Sequence, residues 1–147
     1  MSAWPWLAFL ASLVAAPGEP SLRLPACPDS PNCVSTQADP DDARHYLAPL
    51  RWPEGTSLDE VLDAFEAVLA DEPRTRVVVR HGPRLEATAT SRVFRFVDDV
   101  LLLADEASRT LHLRSAARLG YGDFGVNRRR AERLLQALAL RLGMSYP

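Results

Sequence analysis

The sequence predicts an α+β fold, a two-layer sandwich in which two helices lie on one face of a four-stranded antiparallel sheet. Three observations lead there. Two segments, one on each side of the middle of the chain, place apolar residues at helical spacing. Between them, runs rich in β-branched and aromatic residues alternate with short turn signals. Before them lies a stretch dense in proline, which removes backbone donors and interrupts both periodicities. The expected order is αββββα after a proline-rich lead-in, with both helices packed on the same sheet face.

The first helix is expected over residues 58–71. Ser57 stands at the capping position with Glu60 three residues on, and Leu58, Val61, Leu62, Phe65, Val68 and Leu69 recur along one face. Pro73 stops it. A strand begins at Val77-Val78-Val79, and His81-Gly82-Pro83 turns the chain into a second strand near Leu85–Thr90. Val93–Val97 and Val100–Leu103 read as one long third strand with a bulge at Asp98-Asp99. Asp105-Glu106-Ala107-Ser108 then turns into a fourth strand, Thr110–Ser115. From Asp123, read as the helix cap, Ala131, Leu134, Leu135, Leu138 and Leu142 line one face of a second helix and Arg129, Arg133 and Gln136 the other.

The domain plan is residues 1–18 as a signal peptide or N-terminal anchor, 19–57 as the lead-in, and 58–147 as the α+β domain. Trp6–Ala16 is an 11-residue apolar run, shorter than the roughly 20 residues that span a bilayer and suited to a secretory signal. Membrane contact is expected through this segment alone. Pro17 obstructs cleavage after Ala16, so a cut after Gly18 fits better; a retained anchor and a cytosolic segment are the other readings. The net charge of −2 hides a polarity, with 17 acids and 9 arginines in residues 1–106 against 2 acids and 8 arginines in residues 107–147. Such a balance does not describe a nucleic-acid binder, and no nucleic-acid partner is expected. The chain has no lysine.

Two motifs carry a family resemblance. Cys27-Pro28-Asp29-Ser30-Pro31-Asn32-Cys33-Val34-Ser35 opens it, and Ser115 through Arg130 (SAARLGYGDFGVNRRR) closes it, with Ser91 through Val100 (SRVFRFVDDV) between them. In this order they resemble the bacterial domain of unknown function 1499 family over roughly residues 26–140. The resemblance implies a bacterial, envelope-type protein and supplies no reaction, catalytic residue or cofactor. Leu101-Leu102-Leu103 departs from the family pattern, in which a polar or acidic residue follows Asp98-Asp99-Val100.

Cys27 and Cys33 enclose five residues that include Pro28 and Pro31, and in an oxidising compartment such neighbours pair. The seven-residue loop so closed contributes about 2–2.5 kcal/mol in the chain-entropy model. A redox pair or a metal site is the weaker alternative, since His45 is the one nearby imidazole, and no metal is expected. The candidate binding residues are Tyr121, Asp123, Arg128, Arg129 and Arg130. There Gly120, Gly122 and Gly125 permit close backbone approach, and arginines crowd the helix start. The expected partner is an anionic small molecule, a lipid head group or an envelope protein. The competing structural assignment has Arg130 pairing with Asp98 or Asp99, Asp123 capping the helix and Tyr121 packing.

No ATP or dinucleotide loop and no Gly-x-Ser-x-Gly nucleophile turn occurs, and no cofactor is expected. The leading function is a non-catalytic envelope module. An enzyme of unknown, hydrolytic type would need His45, Asp98, Asp99, Asp123 and Arg118 to meet in one cleft. A pure scaffold is the third reading.

Overall fold

The computed structural model describes residues 22–147; the expected signal peptide or anchor at residues 1–18 lies outside the described residues. The elements in chain order are β1 (Cys33–Ser35), β2 (Leu50–Arg51), α1 (Leu58–Asp71), β3 (Thr75–His81), β4 (Arg84–Thr90), β5 (Val97–Asp105), β6 (Thr110–Ala117) and α2 (Val126–Arg141). The class is α+β, as expected. The sheet, however, has six antiparallel strands, in the order β1-β6-β5-β4-β3 with β2 also paired to β6. The two additional strands come from the lead-in, so the order is ββαββββα. Both are two or three residues long and pair along the outer edge of β6, giving its N–H and C=O groups the partners an edge strand otherwise lacks.

Helix α1 begins as its sequence dictates. Glu60 N–H donates to Ser57 Oγ at 3.2 Å, and Ser57 N–H donates to Glu60 Oε2 at 2.7 Å. Its buried face, Val61, Leu62, Phe65, Val68 and Leu69, meets Ala131, Leu134, Leu135 and Leu138 of α2. Leu85, Ala87, Val100, Leu102, Leu111 and Leu113 of the sheet complete one continuous core. These strand residues alternate with half-buried ones, the period of a sheet whose helix-facing side is dry.

Two expectations about the strands are corrected. Val93–Phe96 lies in a loop that turns at Arg92–Phe94 and is not strand, and β5 starts only at Val97. Asp98 and Asp99 keep regular register with both neighbours, so there is no bulge at them; the register shifts instead between Val77 and Val79, on the edge strand β3. Regular pairing sends Asp98 to the helix-facing side beside Val100 and Asp99 to the opposite side.

That opposite side is crossed by the lead-in. Arg84 Nη2 donates to the Arg23 carbonyl at 3.3 Å and Arg114 Nη2 to the Ala26 carbonyl at 3.4 Å. Gln37 takes the Leu24 N–H at 2.7 Å and donates to the Leu22 carbonyl at 2.9 Å. Leu24 is buried under this strap, as is Leu103 on the sheet below. Cys27 and Cys33 form a disulfide, which ties the end of the strap to β1. At the other end of the chain, Tyr146 Oη donates to the Ala48 carbonyl at 2.7 Å, and burial pushes its phenol up to about 12.

Replacing both cysteines (Cys27→Ser/Cys33→Ser) lowers the unfolding free energy by about 2 kcal/mol, the loop-closure term for so short a ring. Urea denaturation measures it; a loss below about 0.5 kcal/mol would mean that the side-chain clasps alone hold the strap.

Candidate functional site

The polar residues of the Ser115–Arg130 motif gather where α2 meets the ends of β5 and β6. Arg130 is buried and its Nη1 lies 2.8 Å from Asp98 Oδ2, 2.9 Å from Asn127 Oδ1 and 3.4 Å from Ser115 Oγ. Ser115 Oγ donates to Asn127 Oδ1 at 2.6 Å, and Asn127 Nδ2 donates to Asp123 Oδ2 at 2.8 Å. Ser115 and Asn127 are fully buried. A buried guanidinium is tolerable only when paired and hydrogen-bonded, and this cluster supplies both. Asp99, on the opposite side, pairs instead with Arg118 through contacts of 2.8 to 3.1 Å; those hydrogen bonds raise the pKa of Arg118.

Each candidate binding residue has a definite place. The helix N-cap position is Gly125, in the left-handed region at φ 76°, and not Asp123. Asp123 still does the capping from two residues upstream: its carboxylate accepts from Gly125 N–H at 2.8 Å and from Asn127 N–H at 2.9 Å. Arg128 donates to the carbonyls of Tyr46, Ala43 and Arg44 at 2.9 to 3.2 Å, which fastens α2 to the lead-in. Arg129 donates to the Phe124 carbonyl at 2.8 Å. Tyr121 does not pack, because its ring stands exposed on the 118–125 loop. The first cysteine motif reaches the same loop, for Asn32 Nδ2 donates to the Gly120 carbonyl at 2.8 Å and the Asn32 carbonyl accepts Ala117 N–H at 3.0 Å.

Beside this network lies a cleft of about 450 Å³ between the end of α1, the end of β4 and α2. Arg74, Arg92, Arg130 and Arg133 line it, with Thr90, Ser91 and Glu72. Glu72 pairs with Arg133, and Asp98 with Arg130. Arg74 donates only to the Thr90 carbonyl, and Arg92 has no hydrogen bond or ion pair among the described residues. Two guanidinium charges there are thus unanswered by an acid. Sequence reasoning missed Arg74 and Arg92; the available signal was that Ser91–Phe96 holds two arginines and no acid.

The five groups required for hydrolytic chemistry do not converge. His45 lines a separate cleft of about 350 Å³ under the strap, together with Asp42, Ser35 and Gln37, and Asp98, Asp99, Asp123 and Arg118 do not line it. Both imidazole nitrogens of His45 are engaged, Nδ1 at 2.6 Å from Asp42 Oδ2 and Nε2 at 2.9 Å from the Ser30 carbonyl. The hydrogen bond from His45 holds the Asp42 carboxyl below its usual 3.8. The stability that this pair adds to the lead-in is therefore full above that pH and lost as pH falls through the lower folded value. Burial lowers the pKa of His112. Among the described residues, no cluster of three or more His, Cys, Asp or Glu groups is placed to hold a metal ion.

Asn127→Ala removes the acceptor of Ser115 and Arg130 and a donor to Asp123. The expected cost is about 2–3 kcal/mol of unfolding free energy, since buried polar atoms are left without partners. A urea midpoint indistinguishable from wild type would show that the network does not hold the helix.

A family model described as Protein of unknown function (DUF1499) matches residues 23–138. No curated protein and no solved structure matches the chain. The matched span contains the paired cysteines, both aspartates at the start of β5 and the whole network at the start of α2, and the chain belongs to this family of proteins of unknown function.

Proposed function

We propose that this chain is a non-catalytic module of the bacterial cell envelope that binds an anionic group in the arginine-lined cleft between α1, β4 and α2. One observation carries the reading: Arg74 and Arg92 line that cleft without an acid, while their neighbours Arg130 and Arg133 are neutralised. Guanidinium groups without an acid at the wall of a concave site fit phosphate or carboxylate oxygens, and Thr90 and Ser91 add hydroxyl groups. The anion would sit on the Arg130 side of the Tyr121–Arg130 strip, because Arg128 and Arg129 already donate to main-chain carbonyls and Asp123 occupies the helix amides. Placement outside the cytoplasm is supported by the apolar run Trp6–Ala16 and by the Cys27–Cys33 disulfide, since such bonds persist in oxidising compartments. No helix of the described residues is long and apolar enough to cross a membrane.

Inorganic phosphate and glycerol phosphate are the probes. At ten times its dissociation constant a ligand stabilises the folded state by about 1.4 kcal/mol, which raises Tm by about 3–6 °C in a domain of this size. The expected rise is present in wild type and in Arg51→Glu, a charge reversal at the opposite end of β6, and is absent in Arg92→Glu. Equal shifts in all three proteins, or none in any, would remove the cleft from consideration.

A further inference from the structure

Most of the large apolar side chains left in water lie on two neighbouring loops. Of eleven such residues among the described ones, six are Val93, Phe94 and Phe96 on the loop between β4 and β5, and Leu119, Tyr121 and Phe124 on the loop between β6 and α2. Phe124 is 98% exposed, and Val93, Leu119 and Phe94 are each more than 70% exposed. Both loops leave the same end of the sheet, where Arg118 N–H donates to the Val97 carbonyl at 3.2 Å. A concentration of this kind on an otherwise well-buried domain marks a contact surface.

These loops are held out by their own bonding. Ser91 N–H donates to the Phe96 carbonyl at 2.8 Å, and Phe96 N–H donates to Ser91 Oγ at 2.9 Å. The rings of Phe94 and Phe96 stack at 5.7 Å. On the second loop, Asn32 fixes Gly120 and Asp123 fixes the turn that follows. Arg95 and Phe124 adopt left-handed backbone, at φ 57° and 55°, a conformation that a bulky residue takes only where its surroundings impose it.

The charges around the tips decide what they fit. Residues 91–96 contain Arg92 and Arg95 and no acid, and neither guanidinium has a partner among the described residues. The one acid of residues 118–125, Asp123, is taken up by the start of α2. Aromatic and aliphatic tips interleaved with unpaired arginines match the boundary of an anionic bilayer, where rings settle at head-group depth and guanidinium groups meet phosphates. A protein partner would have to meet the same arginines with acids. Leu22, the first of the described residues, lines a cleft with Pro83 and Ala107 at the opposite end of the sheet from these loops.

We propose that the 91–96 and 118–125 loops insert into the surface of an anionic membrane. The phosphate of a lipid head group then enters the cleft that Ser91 and Arg92 line directly behind the tips. The head-group part rests on the cleft function proposed above; the insertion rests on the loops. The test uses the full-length protein carrying a single new cysteine, since both native cysteines are paired. Phe94→Cys, Phe124→Cys and, as a control on the far turn of α2, Leu140→Cys are each labelled with an environment-sensitive fluorophore. They are mixed with vesicles of phosphatidylcholine or of equal parts phosphatidylcholine and phosphatidylglycerol. The labels at positions 94 and 124 are expected to brighten and shift to the blue on the mixed vesicles only, and the label at 140 to stay unchanged. Arg92→Glu/Arg95→Glu weakens this response about tenfold or more, from the loss of two cations and the gain of two anions at a charged surface. Labels at 94 and 124 that remain in water, even on vesicles to which the protein is bound by its leading segment, overturn the proposal and make the tips a protein-docking face. An equal response on neutral vesicles overturns its anionic part. A phosphate-induced Tm shift with the loop labels still in water sinks the membrane inference alone; loop insertion without that shift sinks the cleft function alone.

Discussion

The buried ion pair between Arg130 and Asp98 is the constraint on which the functional end of this molecule depends. A guanidinium and a carboxylate removed from water lose several kcal/mol of hydration each, and only close pairing with further hydrogen bonds offsets that loss. Here the contact is 2.8 Å, and Asn127 and Ser115 satisfy what the pair leaves over. Because Asp98 sits on a strand and Arg130 one turn inside a helix, the pair sets where α2 starts relative to β5. Everything that leaves from that point inherits its position: the Asp123 cap, the 118–125 loop and one wall of the arginine-lined cleft.

The lead-in solves a different problem. A sheet with helices on one side leaves the other side, and the outer edge of its last strand, open to water and to other chains. Two short strands cover the β6 edge, and the strap from Leu22 to Cys27 crosses the second side under four side-chain clasps. Prolines suit such a strap because its backbone bonds go to side chains at intervals and not to a ladder. Arg128 joins this layer to the helix layer by donating to three lead-in carbonyls. The free edge, β3, is interrupted by a bulge and carries Arg76 and Arg80, both common defences against edge pairing.

Local rules made the helices, the central hairpin and the disulfide legible in the sequence. The Ser57–Glu60 capping box, the apolar spacing of both helices and the closeness of Cys27 to Cys33 each act within a few residues. Strands β1 and β2 were not legible, because each is too short to show alternation and exists only where the distant β6 edge offers partners. Val93–Phe96 misled in the opposite sense: its β-prone side chains suit a strand, yet the Ser91–Phe96 bonds close it into a loop. The pairing of Arg130 with the first of the two aspartates was one of two foreseen options, and the strand's two-residue period chose it by turning Asp99 to the other side. The grip of Arg128 on main-chain carbonyls left no trace in the sequence, since any residue offers a carbonyl. Phe124 was invisible for the reason that a large apolar residue is ordinarily assigned to a core.

The residues that carry the family resemblance therefore act mainly on one another, and their joint product is a rigid end bearing arginines and exposed rings. A double-mutant cycle on Asp98→Leu and Arg130→Met, followed by urea unfolding, tests this most directly. Each single change is expected to cost about 3–5 kcal/mol by stranding a buried charge, and the double change to recover at least about 2 kcal/mol of their sum. Additive losses would contradict the account, because they would mean that the two groups stabilise the fold independently and that the pair does not position the end of the molecule.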